Sequence, residues 1–271
     1  MRNIFKRLII IAYAALLLGF AGCSGGSNEE AQGSGPKLRV GMELGFPPFE
    51  MKDEKGKAAG VSVDLAKALA ESMNRNAEIV DMPFNTLIPA LQGGKIDVLI
   101  SSMTITPERE EIIDFSDPYL TTGLCILAGG RTLVYSINDV DKPDVRVVVK
   151  KGTTGEKWAQ SNIAQATVIA KDKEEVCLKL VIDGQADCFV YDQISTFKNW
   201  RKHQISTRAL LIPFKEEHWA VGIRKGNDEL RLRINGFLKK FRERGGFEML
   251  GDKHLKEQKE AFQRLGFPFY L

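Results

Sequence analysis

The stretch Phe84 to Glu110, FNTLIPALQGGKIDVLISSMTITPERE, carries a helix, a stop and a buried strand in direct succession. Leu87, Ile88 and Leu91 fall on one helical face, Gly93-Gly94 ends the run, and Ile96 to Ile100 is a short apolar segment of strand length. A strand apolar on both faces is covered on both sides, as in a parallel sheet flanked by helices. The chain leaves that strand through Ser101-Ser102-Met103-Thr104 and soon reaches Arg109. In open parallel sheets ligands bind just beyond such carboxyl ends.

The same alternation extends both ways. Upstream, Leu38 to Met42 reads as a strand, Leu65, Ala68, Leu69 and Met73 mark a helix face, and Ala77 to Val80 reads as a strand. Downstream, Val145 to Val149, Thr167 to Ala170 and Cys188 to Tyr191 read as strands. Helical segments lie near Glu156 to Asn162, Asp172 to Ile182 and Gln193 to Lys202. Leu230, Ile234, Phe237, Leu238 and Phe241 form a helical stripe near the C-terminus. The fold class expected is α/β, with mostly parallel sheets covered on both faces. Polar, turn-rich breaks at Arg131 to Pro143 and Pro213 to His218 bracket a middle block, which predicts a domain inserted into another and joined by two crossovers. No repeat of fixed period is visible. A chain of 271 residues is long enough for one large domain or two small ones.

The N-terminal end has a different character. Arg2, Lys6 and Arg7 precede an apolar run from Leu8 to Phe20, followed by Ala21-Gly22-Cys23. That is the layout of a secretion signal, too short to span a bilayer comfortably. The placement of Cys23 resembles a bacterial lipobox, with Phe20 where leucine is usual. Cys23 is then the expected lipid attachment site, residues 1–22 the signal and 23–36 a tether. Ser24 to Gly35, SGGSNEEAQGSG, has the composition of a flexible linker. Removing the signal takes three of the 38 basic residues and no acid, leaving 35 against 35 acidic residues. The formal charge of +3 thus belongs to the leader, and there is no basic stripe with interleaved aromatics for nucleic acid. Cys125, Cys177 and Cys188 sit in apolar runs and read as buried thiols, with Cys177 and Cys188 the one pair to test for a disulfide.

Residues at strand ends supply the candidate chemistry. Glu43 and Phe46 follow the first strand; Ser101, Ser102, Met103 and Thr104 follow the third; Lys150, Thr153 and Thr154 follow Val145 to Val149; Asp192 follows Cys188 to Tyr191. A planar guanidinium grips a carboxylate bidentately, hydroxyls and helix-start N–H groups add donors, and an aspartate accepts from an ammonium. Together with Phe46 and Phe84 as apolar walls, the set suits a zwitterion. Taken singly, each residue has a plainer reading: Arg109 a surface helix position, Asp192 a helix N-cap, the phenylalanines core, Ser101 and Thr104 strand-end satisfiers. His203, His218 and His254 are too scattered for a zinc site, GxSxG is absent, and GTTGE lacks the P-loop pattern. No metal or cofactor is expected.

These stretches together resemble the family 3 extracellular solute-binding proteins, the amino-acid-binding proteins of polar amino acid ABC transporters. The first-lobe pattern is carried by GMELGFPPFE (Gly41 to Glu50), GVSVDLAKALA (Gly60 to Ala70), the stretch quoted above and IDFSDPYL (Ile113 to Leu120). KKGTTGE (Lys150 to Glu156), DGQADCFVYD (Asp183 to Asp192) and VGIRKGND (Val221 to Asp228) carry the second half. The resemblance implies a two-lobed periplasmic-binding-protein-like (type II) fold with a two-strand hinge. It places lobe 1 at 37–122 plus 219–271 and lobe 2 at 123–218. Arg109 is then the carboxylate clamp, helped by Ser102, Thr104, Thr153 and Thr154; Asp192 takes the ammonium, with Ser101 and the Met103 backbone nearby; Phe46 and Phe84 cover the ligand. Glu43 and Lys150 occupy positions that vary with the side chain recognised.

Two departures from the pattern are Val61-Ser62-Val63-Asp64-Leu65, which lacks the first acid of FDxDL, and the shortened Glu217-His218-Trp219 stretch, which blurs the hinge position. The implied activity is capture of a free amino acid at about micromolar affinity or tighter, some 8 kcal/mol, by a monomer that hands it to permease subunits outside the cytoplasm. An enzyme on the same scaffold and a sensor acting through a separate partner are the alternatives. Lys253 to Leu271 reads as a packing helix plus tail.

Overall fold

A computed structural model describes residues 35–267. The signal, the tether as far as residue 34, Cys23 and the last four residues lie outside the described residues. Chain order is β1 (Lys37–Met42), β2 (Met51–Lys52), β3 (Ala58–Ala59), α1 (Val61–Ser72), β4 (Asn76–Asp81), α2 (Leu87–Gln92), β5 (Val98–Leu99), α3 (Pro107–Glu110), β6 (Ile113–Phe115) and β7 (Leu120–Gly129). It continues with β8 (Arg146–Lys150), α4 (Thr154–Asn162), β9 (Thr167–Lys171), α5 (Glu174–Ile182), β10 (Cys188–Asp192), α6 (Gln193–Lys202) and β11 (Thr207–Trp219). The last elements are β12 (Gly222–Arg224), α7 (Asp228–Glu243), α8 (Gly246–His254) and α9 (Lys256–Leu265).

Two five-stranded sheets organise these elements, β4-β1-β5-β12-β6 and β11-β7-β10-β8-β9. In the first, β12 runs against the other four strands; in the second, β7 does. Each sheet is therefore mostly parallel with one reversed strand, which is the two-lobed type II arrangement. Helix α1 shows how the pattern folds: Val61, Val63, Leu65, Ala66, Leu69 and Ala70 are buried while Lys67 and Glu71 face water.

The lobes repeat one device. At the amino end of β1, Arg39 bonds Asp97 through Nε (3.2 Å) and Nη2 (2.6 Å), and the Arg39 backbone N–H donates to Asp97 Oδ2 (2.9 Å). At the amino end of β8, Arg146 bonds Asp187 through Nε (2.9 Å) and Nη2 (3.2 Å), again with its backbone N–H on Oδ2 (2.8 Å). Each pair joins a sheet's central strands, β1 to β5 and β8 to β10, at the end away from the cleft. Glu43 and Lys150 are thus counterparts at the carboxyl ends of equivalent strands, as Ser102 and Asp192 are.

Pro213 to His218 was expected to be a break, and the structure corrects this. It lies inside β11, whose register against β7 shifts between Leu210 and Lys215 and then continues from Lys215 on Leu124 to Trp219 on Leu120. Pro213 has no N–H for a ladder and sits in the irregular part. Gly123 lies at this shift, where an added Cβ would come within 2.6 Å of both Lys215 O and the Pro213 side chain. Strands β7 and β11 run antiparallel side by side from one sheet to the other. Helix α9 packs Phe262 against Phe197 of α6, rings 5.2 Å apart and edge to face, so the C-terminal helix reaches the second lobe. The three thiols are free and buried; burial pushes those of Cys177 and Cys188 up to about 12.

Candidate functional site

Between the carboxyl ends of the two sets of strands lies a cavity. Eleven of the twelve expected ligand residues line it: Glu43, Phe46, Phe84, Ser101, Ser102, Thr104 and Arg109 from the first lobe; Lys150, Thr153, Thr154 and Asp192 from the second. Met103 does not. Its side chain is buried among Leu87, Leu99 and Ile113, and its carbonyl accepts from Ala220 N at 3.0 Å.

Arg109 lies on α3, which Pro107 and the Thr106 hydroxyl start; Thr106 Oγ1 accepts from Arg109 N at 3.3 Å. Its guanidinium donates to Thr104 O (Nη1, 2.6 Å) and across the cleft to Gly152 O (Nη2, 2.9 Å). Two of the five N–H donors are thereby placed, and the planar fork is held in one orientation. Gly152 has φ of +77°, a conformation that favours glycine and that aims its carbonyl at this bond. Burial lowers the Arg109 pKa to about 10, so it keeps its charge at neutral pH.

Asp192 caps a helix and also lines the cavity. Oδ1 caps α6 by accepting from Ser195 N at 2.9 Å, while Oδ2 is buried with no hydrogen-bond partner. Burial pushes the carboxyl up to about 7, the nearby Glu174 adding to the shift and the Ser195 bond opposing it. Phe46 is likewise both core and wall. It sits edge to face with Tyr191 and Trp219, each 5.8 Å away, and Tyr191 belongs to the other lobe.

Several hydroxyls turn out to build the loops. Ser101 Oγ accepts from Glu43 N at 3.0 Å, and Thr153 Oγ1 donates to Lys150 O at 2.7 Å while capping α4 through Glu156 N. Ser102 has φ of +49°, rare for a residue with a Cβ, and its Oγ bonds the buried Glu50 carboxyl at 2.9 and 3.2 Å. Burial raises Glu50 to about 8 against the opposing bonds from Ser62 and Ser102. Glu43 and Lys150 form an ion pair across the cleft, Lys150 only 3% exposed.

Leu124, Gly155, Tyr191, Glu217 and Trp219 also line the cavity and were not expected. Leu124 belongs to β7, Glu217 to the part of β11 read as a break, and Trp219 is the last residue of β11. Glu217 is buried, accepts from Thr104 Oγ1 at 3.2 Å through Oε2, leaves Oε1 without a partner, and has its carboxyl raised by burial. Tyr191 adjoins Asp192 at the carboxyl end of β10, and that strand-end position was its one signal; nothing local marked Glu217.

Residues 38–257 match the model of the bacterial extracellular solute-binding proteins, family 3. A probable histidine-binding protein of Neisseria gonorrhoeae is 29% identical over 261 residues, covering 93% of this chain and 97% of the relative. An ABC transporter glutamine-binding protein of Bacillus subtilis is 26% identical, covering 95% of this chain and 98% of the relative. Among solved structures, an ancestral amino-acid-binding protein, a precursor of cyclohexadienyl dehydratase, superposes with a TM-score of 0.75 at 36% identity, covering 80% of this chain and 95% of that one. The chain belongs to the bacterial extracellular solute-binding proteins, family 3.

Proposed function

We propose that this chain is the substrate-binding component of an ABC importer, which captures a free L-amino acid between its lobes and delivers it to permease subunits. One observation carries the reading: Arg109 from one lobe and Asp192 from the other line the same cavity, and Asp192 Oδ2 is buried without a hydrogen-bond partner. A cation fixed by two carbonyls and a buried carboxyl oxygen with no partner complement the two charged ends of a zwitterion. Binding proteins for histidine and for glutamine among the relatives support the ligand class.

Arg109 grips the carboxylate, with the first N–H groups of α4 at Thr153 and Thr154 beside it. Asp192 takes the ammonium, and Phe46 and Phe84 enclose the apolar part. Lobe boundaries fall at 122/123 and 218/219, within β7 and β11, where Thr122 pairs with Glu217 and His218 with Thr121. Closure about these two strands follows from the ligand's greater affinity for the state in which both lobes touch it. The protein is a monomer held outside the cytoplasm by lipid on Cys23, and it binds its ligand without turnover.

A thermal-shift screen of the twenty amino acids plus cystine and ornithine tests the reading. A ligand that binds only the folded form raises the unfolding midpoint. Failure of every compound to shift it, or appearance of product from prephenate or arogenate, overturns the assignment.

A further inference from the structure

The Glu43–Lys150 pair bears on the identity of the ligand's side chain. Read singly, the two residues argue in opposite directions, an acid for a cationic side chain and a lysine for an anionic one. The structure joins them in one ion pair between equivalent strand ends of the two lobes, with side chains 18% and 3% exposed. Both line the same cavity as Arg109 and Asp192. Arg109 Cζ is 5.8 Å and Lys150 Nζ 5.3 Å from the Phe84 ring centroid, so the two cations are at most about 11 Å apart. One amino acid of four or five carbons can touch both.

We propose that the preferred ligand carries a neutral carboxamide side chain that inserts between Glu43 and Lys150. Its carbonyl oxygen accepts from Lys150 Nζ and its NH2 donates to the Glu43 carboxylate. This inference rests on the amino-acid reading above. A cationic side chain would meet Lys150, and an anionic one Glu43, as a like charge with little water to screen it. An apolar side chain pushed into the same place would separate the pair and leave two desolvated charges without partners. A carboxamide brings an acceptor and a donor on adjacent atoms and gives each charge a charge-assisted hydrogen bond. It also leaves the net charge of the cleft unchanged.

Calorimetric titration of the full chain with glutamine, asparagine, glutamate, arginine, leucine and serine tests this. A carboxamide amino acid is expected to bind about tenfold or more tightly than each of the others, the scale set by leaving a buried polar group unmatched. The pair also predicts a reciprocal switch. Lys150→Met frees Glu43, so glutamine weakens about tenfold and arginine rises in rank; Glu43→Gln frees Lys150, so glutamate rises instead. Tightest binding of a charged, apolar or hydroxyl side chain by the unaltered chain overturns the inference while the amino-acid reading stands. So does an unchanged rank order in both variants, once thermal unfolding shows them folded. Absence of binding by every amino acid overturns both.

Discussion

The two ends of the cleft use charge differently. At one end Arg109 and Asp192 line the cavity, are held by the protein and still have bonding capacity to spare: Arg109 makes two hydrogen bonds, and Asp192 Oδ2 makes none. At the other end Glu43 and Lys150 bond each other. The first end is complementary to something the chain lacks, and the second is complementary to itself. In the function proposed above, that contrast separates what every amino-acid ligand shares, the charged backbone groups, from what distinguishes one ligand from another. It also assigns the two ends different energetic roles. A buried carboxyl without a partner costs stability until a ligand engages it, whereas an ion pair must be opened before a side chain gains anything from it.

Removing Arg109 breaks the contrast most severely. Arg109→Ala is expected to weaken amino-acid binding about 100-fold or more, the scale for truncating one member of a buried, hydrogen-bonded charge pair. Circular dichroism and cooperative unfolding should stay those of a folded chain. Undiminished calorimetric binding would remove Arg109 from the site.

Asp192→Asn sharpens the contrast through pH. With the carboxyl raised to about 7, an ammonium ligand binds the ionised form, so affinity should fall about tenfold from pH 8 to pH 6 in the unaltered chain. The variant should bind more weakly and without that slope. The stability of the ligand-free protein moves with the opposite sign. Between the ordinary aspartate value of about 4 and the folded value of about 7, the native state holds a proton the unfolded chain has released. Stability therefore falls as pH rises through that window, and the asparagine variant should flatten the fall. A slope retained in both titrations would mean that another group titrates there.

How much of this was legible in the sequence depended on the range of the interaction that fixed each part. Helices with a solvent face, such as α7 with its stripe from Leu230 to Phe241, announce themselves by period. The strand ends that gather nine of the eleven cavity residues follow from where apolar runs stop. Strands β7 and β11 did not show, because Leu120 to Gly129 is buried nearly throughout and has no alternation, and Pro213 suggests a break where the structure has a register shift. Glu217 and Trp219 were missed with them, since only pairing with β7, about a hundred residues away, carries them to the cleft. The kinship of the lobes was also invisible. Its markers, Arg39 with Asp97 and Arg146 with Asp187, are two ordinary ion pairs until the sheets are seen.

Glu50 supplies the smallest and most discriminating effect, because it lies behind the cleft wall and is fully buried. It holds the Ser102 hydroxyl while Ser102 keeps its left-handed backbone. With the carboxyl raised to about 8, Glu50 is mostly protonated at neutral pH, so Glu50→Gln replaces one neutral acceptor by another of similar shape. The unfolding midpoint at pH 7 should change by no more than about 4 °C, the shift that about 1 kcal/mol produces in a chain of this size. The pH dependence should change more. Above the ordinary glutamate value and up to about 8, the native state again holds the extra proton, so the unaltered chain loses stability across that window and the glutamine variant should lose less. Ligand affinity should stay within a few-fold, since glutamine still offers Ser102 an acceptor. A large loss of affinity with an unchanged pH profile would instead place an ionised Glu50 in the site's electrostatics, and the side-chain end of the cleft would no longer be self-complementary.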